Sequence, residues 1–206
     1  MTALDLGRTD YGVLNAVTLK KMASAAAVAQ VTGLAEPEVE AALAALAGRG
    51  LVALAGDLAL PTDGAEPALA AAAAAFYPAV RSDPRIASLF ERFELTNAQF
   101  LTTMSSWQQI DAGGRKVAND HTDSAYDDKV IGRLDRLIQQ LDPLLDALAG
   151  HDVRFAAYRR RFAAAMQAVD AGEHDLVSSP TADSVHTIWF EFHEDLLRTL
   201  GRERTE

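Results

Sequence analysis

The chain has 206 residues, of which 49% are hydrophobic and 23% charged, a composition typical of a globular protein and not of a disordered one. It contains no cysteine, which excludes disulfide bonds and thiolate metal ligands. The net charge of −10 disfavours strong non-specific binding to nucleic acid, although it leaves room for a local basic patch.

The N-terminal stretch MTALDLGRTDYG lacks the apolar core of a signal peptide. No apolar run approaches the roughly 20 residues that a membrane-spanning helix needs. We therefore expect a cytoplasmic protein that does not bind or cross a membrane.

Residues 11–62 are predicted to form three short helices followed by a β-hairpin. The second helix begins at Ser24, a typical N-cap, and ends at Gly33, a typical C-cap residue. The third helix is predicted in AEPEVEAALAALAGRG, where Pro37 fits the first turn because its missing N–H is tolerated there, and Gly48 and Gly50 end the helix. Two short apolar stretches then flank Gly56 and Asp57, a frequent hairpin turn.

This segment resembles the winged-helix part of MarR- and GntR-type transcriptional regulators. The matching features are the turn glycine Gly33, the tripeptide Gly50-Leu51-Val52 and the stretch LPTDG that ends the wing. The resemblance covers about a quarter of the chain. It implies an N-terminal winged-helix domain at residues 1–65 that binds DNA, with the whole protein acting as a homodimer.

Some charged side chains of this segment favour DNA binding, and others disfavour it. The predicted DNA contacts are Lys20, Lys21 and Arg49. However, the third helix offers Glu36, Glu38 and Glu40 where a recognition helix meets the groove, and these carboxylates repel phosphates. Residues 1–62 carry four basic and six acidic side chains. Two interpretations stay open: a DNA reader that uses its wing and lysines, or a winged helix that serves packing or partner docking.

Residues 66–206 are predicted to form an all-α bundle of roughly five helices, with a boundary between the domains near residue 65. Residues 111–121 and 173–182 are interpreted as loops, and Pro143 is expected to bend or restart a helix. We expect no strand after about residue 66. A strand anywhere in 84–200 would contradict the all-α bundle.

The last predicted helix places two histidines on its apolar side. At 100° per residue, His186 and His193 lie within about 20° of each other in an apolar arc, roughly 10 Å apart along the axis. A buried imidazole without a hydrogen-bond partner costs about 1–3 kcal/mol. The bundle is therefore expected to supply polar groups that face this helix.

These polar groups are predicted to line a small-molecule pocket, because apolar walls with a few converging polar side chains are typical of such sites. A protonated imidazole would suit an anionic effector. Phe190 is expected to add to the pocket wall. The predicted ligand-binding residues are Asn97, Trp107, Gln108, His121, Tyr126, His186, Trp189 and His193. The alternative is that both histidines are ordinary core residues with satisfied hydrogen bonds.

A metal site is less well supported, because ligands seven residues apart on one helix are too distant to share an ion. One of these histidines with His121 and a carboxylate remains a second possibility for a metal. No cofactor is predicted, since the sequence has no nucleophile elbow, phosphate-binding glycine loop or dinucleotide motif. We therefore predict that the protein is not an enzyme, and acid–base catalysis by His186 or His193 is the least favoured alternative.

Four arginines cluster in RFAAYRRRF, and we interpret them as a solvated helix face, with an anion or partner contact as the lesser alternative. They are Arg154, Arg159, Arg160 and Arg161.

A second resemblance spans most of the chain. The motifs NxxF from Asn97, NDHxDxxY from Asn119, FxxYRxR from Phe155 and DSxHTxWFExHEDL from Asp183 are similar to a helical segment of actinobacterial proteins related to pyruvate phosphate dikinase, which use phosphoenolpyruvate. The dikinase's catalytic histidine and phosphate-binding parts are absent. The resemblance thus implies an accessory or regulatory role without phosphotransfer.

Two functions follow as expectations. The first is a winged-helix transcriptional regulator with a C-terminal helical domain that senses a small molecule. The alternative is an accessory protein that does not bind DNA, is associated with a phosphoenolpyruvate-utilising enzyme, and binds a metabolite or partner through its bundle.

Overall fold

The computed structural model describes residues 6–111 and 113–204, which are mainly helical, as predicted. The elements in chain order are α1 (Arg8–Lys20), β1 (Ala23–Ser24), α2 (Ala25–Thr32), α3 (Glu36–Gly48), β2 (Val52–Ala55), β3 (Leu58–Pro61), α4 (Ala65–Phe76), α5 (Pro78–Ser82), α6 (Pro84–Gln108), β4 (Gln109–Asp111), β5 (Lys116–Ala118), α7 (Ser124–Gln139), α8 (Asp142–Ala149), α9 (Phe155–Asp170), a short 3-10 helix (His174–Val177) and α10 (Val185–Leu200).

The chain forms two compact units. The first unit contains the described residues up to Asp83, together with Asp152–Ala157 and the chain from Phe190 onward. The second unit contains Pro84–His151 and Tyr158–Trp189. The predicted domain boundary near residue 65 stays a prediction, and the compact units follow other limits along the chain.

The start of the first unit has the predicted helices and hairpin. Ser24 caps α2, because its Oγ accepts a hydrogen bond from the N–H of Ala27 at 3.3 Å. Gly33 ends α2 in the left-handed region with φ of 74°. Gly56 has φ of 64° between β2 and β3, as a tight hairpin turn requires. The two-residue strand β1 was not predicted, and it extends the hairpin to an antiparallel sheet of order β1-β3-β2.

Apolar side chains of four helices form the core of this unit. They are Leu14 and Val17 of α1, Val28 of α2, Val39, Leu43 and Leu46 of α3, and Leu69 of α4. In α3 the three buried residues are four and three positions apart, which follows the helical period, whereas α1 is buried on nearly all sides from Val13 to Leu19.

In the second unit, the prediction of no strand after residue 66 is wrong. β4 and β5 form an antiparallel hairpin in which Ile110 pairs with Val117. Its turn is made possible by Gly113 and Gly114, which have φ of 67° and 83°. The N–H of Gly114 also donates to the Asp111 carboxylate at 2.7 Å. The interpretation of residues 111–121 as a loop and the all-α description of residues 66–206 are therefore corrected to helices with an inserted hairpin.

Two smaller differences concern helix ends. The stretch EPALAAAAAAFYPAV, whose alanines predict one continuous helix, is divided into α4 and α5, because Pro78 starts a new helix. The stretch 173–182, interpreted as a loop, contains the 3-10 helix His174–Val177. The predicted restart at Pro143 is confirmed, since α7 ends at Gln139 and α8 begins at Asp142.

No helix among the described residues is long and apolar enough to cross a membrane.

Candidate functional site

Part of the predicted pocket forms an aromatic cluster in the second unit. The indole N–H of Trp189 donates to the side-chain oxygen of Asn97 at 2.9 Å. Phe100 stacks on Trp189 with ring centroids 4.0 Å apart and planes within 3°. His186 lies beyond Phe100, with centroids 6.3 Å apart. The structure thus brings together three predicted residues, Asn97, Trp189 and His186.

The environment of His186 does not favour a charged imidazole. Burial lowers the pKa of His186 below its usual value, because a low-dielectric environment disfavours the charged form. The neutral ring is therefore the dominant form at pH 7.

A second group of predicted residues lies where α6 meets the β4–β5 hairpin. The rings of Trp107 and His121 are 4.4 Å apart. His121 Nδ1 lies 2.9 Å from the carboxylate of Asp127, which is only 2% exposed. The side-chain amide of Asn119 donates to the other Asp127 oxygen at 2.9 Å and to the Trp107 carbonyl at 3.1 Å. This buried carboxylate is satisfied by an amide and an imidazole, and it fixes the end of the hairpin.

Tyr126 and Gln108 belong to the same region. The Tyr126 hydroxyl donates to the backbone carbonyl of Ser106 at 2.9 Å. The carbonyl of Gln108 accepts from the N–H of Asn119 at 2.9 Å, while its side chain is exposed. The first contact joins α7 to α6, and the second joins the end of the hairpin to α6.

The predicted residues therefore separate into groups. Asn97 and Trp107 are ten residues apart on α6, which is about 15 Å along the axis. His193 is buried in the first unit, whereas His186 belongs to the second. Phe190, expected in the pocket wall, is 39% exposed. The ligand-binding role of these residues stays a prediction. Among the described residues, no group of three or more carboxylate and imidazole side chains is arranged to hold a metal ion.

The exposed surface of α3 is the candidate DNA-facing surface, and its composition is unusual for that role. Glu36, Glu38 and Glu40 are all exposed. Glu38 also caps its own helix, because its carboxylate accepts from the N–H of Ala35 at 3.0 Å. The other exposed residues of α3 are Pro37, Ala41, Ala44, Ala45 and Gly48. This surface therefore carries three carboxylates and no cationic or amide side chain.

Two of the three predicted DNA contacts are in ion pairs. The ammonium of Lys20 is 3.2 Å from the carboxylate of Glu191, and the Lys20 side chain is 15% exposed. The guanidinium of Arg49 is 3.1 Å from the carboxylate of Asp10. Lys21 is exposed, and it ends α1 with φ of 64°. The positive charge available to a phosphate is thus smaller than the sequence suggested.

Sequence reasoning missed a buried ionic network in the first unit. Its centre is Arg154, whose side chain is 13% exposed. Arg154 donates to both oxygens of Asp195 at 3.0 and 3.2 Å, and to the Thr199 hydroxyl at 2.7 Å. It also donates to Asp152 at 2.6 Å and to the Tyr77 hydroxyl. The prediction of a solvated arginine face is wrong for Arg154.

The network extends to α1 and α4. Asn15 donates to Asp195 at 3.0 Å and accepts from Arg198, which also pairs with Glu66 at 2.9 Å. The Arg154 guanidinium lies over the ring of Tyr11, and its central carbon is 5.5 Å from the centroid of that ring. The Tyr11 hydroxyl is buried and has no hydrogen-bond partner among the described residues, and burial raises the pKa of Tyr11 to about 12.

The other three clustered arginines lie in the second unit and differ in exposure. Arg161 is 9% exposed and is held by both oxygens of Asp183 at 2.8 and 3.0 Å, so it too departs from the predicted solvated face. Arg159 is exposed and pairs with Asp142 and Asp146. Arg160 is exposed, as predicted. Arg154 precedes the first residue of α9 whereas Arg161 lies within it, so their nearness in the sequence does not indicate a common environment.

Comparisons of the chain with protein-family models, with curated proteins and with solved structures found no match. The two resemblances drawn from sequence motifs therefore stay predictions.

Proposed function

We propose that the chain is an accessory protein whose N-terminal winged helix binds a partner protein and not DNA. The winged-helix assignment is supported by the order α1-β1-α2-α3-β2-β3 and by the antiparallel sheet β1-β3-β2. That arrangement of three helices and a hairpin agrees with the resemblance to MarR- and GntR-type regulators.

The observation that carries the proposal is the exposed face of α3. A recognition helix meets DNA with side chains that donate hydrogen bonds to phosphates and base edges. Here that face presents Glu36, Glu38 and Glu40 among alanines. Double-stranded DNA carries one negative charge per about 1.7 Å of axis, so three carboxylates oppose binding. Lys20 and Arg49 are held by Glu191 and Asp10 and offset this repulsion only weakly.

The same chemistry defines the partner. Small alanines allow close approach of another chain, and the three glutamates attract lysine and arginine side chains. The module also exposes Met22 and Leu54, each more than half accessible. A protein surface with basic side chains around an apolar centre would complement this combination, as interfaces generally combine an apolar core with a charged rim.

DNA binding can be measured by fluorescence anisotropy with duplexes from the upstream region of the protein's own gene, at physiological salt. We expect no binding tighter than about micromolar, the range of non-specific complexes. The variant carrying Glu36→Lys and Glu40→Lys should bind DNA more tightly than the wild type, whereas Asp128→Lys, a charge reversal on an exposed site of α7, should not. Nanomolar, sequence-specific binding that is lost in Lys21→Ala would overturn the proposal.

The partner can be sought among enzymes that the second resemblance indicates. We expect a purified actinobacterial phosphoenolpyruvate-utilising enzyme to form a complex with the full chain in sedimentation velocity. Glu36→Lys with Glu40→Lys should weaken the complex, and Asp128→Lys should leave it unchanged. A complex that is indifferent to both charge reversals would contradict the role of α3.

A homodimeric transcriptional regulator, with a small-molecule sensor in its helical bundle, is the second candidate. It is favoured by the element order and by Lys21, an exposed cation with no ion pair among the described residues. The anisotropy experiment separates the two candidates, because only the regulator requires tight and specific DNA binding.

A further inference from the structure

A groove between α6 and α7 combines two arginines with four uncharged polar side chains. Its volume is about 490 Å³, within the range of small-molecule clefts. The lining residues used below are Gln99, Thr102, Thr103, Arg133, Arg136 and Gln140. All of them belong to the second unit.

The two arginines of the groove have no counter-charge in the part of the chain that the structure describes. Arg133 and Arg136 are exposed, and among the described residues neither guanidinium makes a hydrogen bond or an ion pair. No aspartate or glutamate lines the groove. By contrast, Arg159 and Arg161 of the same unit are both paired with carboxylates. The chain as a whole has a net charge of −10, whereas the charged residues that line this groove are both positive.

Their spacing makes the pair unfavourable without a ligand. Residues three apart on a helix have Cβ atoms about 5–6 Å apart, and like charges at that distance repel each other. An anion between the two guanidinium groups would remove this repulsion. Arginine also suits phosphate and carboxylate, because its planar fork donates two parallel hydrogen bonds.

Hydrogen-bond donors complete the groove. The Thr96 hydroxyl is shared between the Arg92 carbonyl at 3.0 Å and the side-chain oxygen of Gln140 at 3.3 Å, so the Gln140 amide nitrogen is left to donate elsewhere. Gln99 is exposed on the opposite wall and offers a second amide. The buried Thr103 hydroxyl is occupied by the Gln99 carbonyl at 2.8 Å and shapes the wall.

We propose that this groove binds a small organic anion that carries at least two phosphoryl or carboxylate groups. One anionic group lies between Arg133 and Arg136, and the amides of Gln99 and Gln140 orient the rest of the molecule. The size of the groove and the net charge of the chain favour a small anion over a nucleic acid, which the remaining negative charge repels. The inference does not depend on the function of the winged helix.

The test is isothermal titration calorimetry of the full chain with pyrophosphate and, separately, with citrate, at physiological ionic strength so that weak surface effects are screened. We expect saturable 1:1 binding of at least one probe. Arg133→Ala and Arg136→Ala should each weaken binding roughly tenfold, which corresponds to the loss of a charge-assisted hydrogen bond. Arg160→Ala, which removes an exposed arginine outside the groove, should change the affinity less than about twofold.

A steric variant separates the groove from general charge. Ala98 is exposed and lines the groove, so Ala98→Trp should fill it, keep both arginines and abolish binding. Thermal unfolding of each variant without ligand checks that the fold is retained. The proposal is overturned if neither probe binds saturably, if Arg133→Ala with Arg136→Ala binds like the wild type, if Arg160→Ala is equally damaging, or if only an acidic polypeptide such as poly-glutamate binds.

Discussion

The two compact units are stabilised by different chemistry at their centres. In the first unit, a charged network around Arg154 connects residues from five separate parts of the chain. In the second unit, Trp189 packs with Phe93, Phe100 and Phe162, and its one polar atom is satisfied by Asn97. A buried ion pair is costly to desolvate and strongly destabilising when one partner is lost, whereas aromatic packing tolerates changes of similar shape.

The largest effect should follow from removing the central cation of the first unit. Arg154→Met removes the guanidinium that pairs with both Asp152 and Asp195 in a largely buried place, and among the described residues Asp152 keeps only its longer ion pair of 3.6 Å with the exposed Arg8. We expect the free energy of unfolding to fall by about 3–5 kcal/mol, the usual cost of breaking a buried ion pair. Urea denaturation of the full chain measures this effect.

Adding Asp195→Asn to Arg154→Met should recover part of the loss, because the second change removes the carboxylate that Arg154 neutralised. Arg160→Ala is the control, since it removes an exposed arginine of α9, and it should stay within about 0.5 kcal/mol of the wild type. A cost below about 1 kcal/mol for Arg154→Met would mean that the network is not important for stability.

A smaller effect is expected at the centre of the second unit. Trp189→Phe keeps an aromatic ring against Phe100 but removes the N–H that donates to Asn97. The loss of one hydrogen bond and of part of the ring volume should cost about 2 kcal/mol. Asn97→Ala in the same background should then add little, since its partner is already gone. Strict additivity of the two changes, measured by denaturation, would contradict a direct coupling.

The units should also differ in their response to acid. Burial alone would raise the pKa of Asp152, but the Arg154 charge and the Tyr77 hydroxyl outweigh it and hold that pKa below its usual value of 3.8. A carboxylate with a lowered pKa in the folded state stabilises the protein above its unfolded-state pKa, and this stabilisation is lost as the pH falls through the folded-state value. We therefore expect stability to decline below about pH 4.

Thermal unfolding between pH 3 and 6 measures this decline, which should be smaller than the effects of the two substitutions above. Asp152→Asn should be less stable at pH 6 and should show a flatter pH dependence. Trp189→Phe should keep the wild-type slope, because Phe93, Phe100, Phe162 and Asn97, which contact Trp189, carry no titratable group. A slope that Asp152→Asn leaves unchanged would assign the acid sensitivity to other carboxylates.

Features that depend on neighbouring residues could be predicted from the sequence, whereas most contacts between distant residues could not. Local signals identified the helices of residues 11–62, the cap at Ser24 and the turn at Gly56, because capping and turn residues act on their immediate neighbours. The aromatic cluster was partly predicted, since Asn97 and Trp189 were placed in one site and are in contact.

Long-range polar contacts were not predictable in this way. Asn15 and Asp195 are 180 residues apart, and nothing in either local pattern indicates the other. Arg154 stands in a cluster of arginines that resembles an ordinary solvated face. The pair Arg133 and Arg136 was likewise unremarked, because exposed arginines at this spacing are common on helices and only the absence of counter-charges distinguishes them.

The smallest effect is expected from substituting a turn glycine in each of the two hairpins, one of which lies in each unit. Gly56 in the first and Gly114 in the second have φ of 64° and 83°, and a Cβ added at either would meet no atom within 4 Å. Any cost of Gly→Ala therefore comes from the left-handed backbone alone, about 1 kcal/mol at each site. Asparagine tolerates this conformation better, so Gly56→Asn and Gly114→Asn should cost less than the alanine variants. Denaturation of the four variants measures this order. Equal costs for alanine and asparagine at either site would mean that the positive φ is not what the glycine provides there, and that the turn rearranges when a side chain is added.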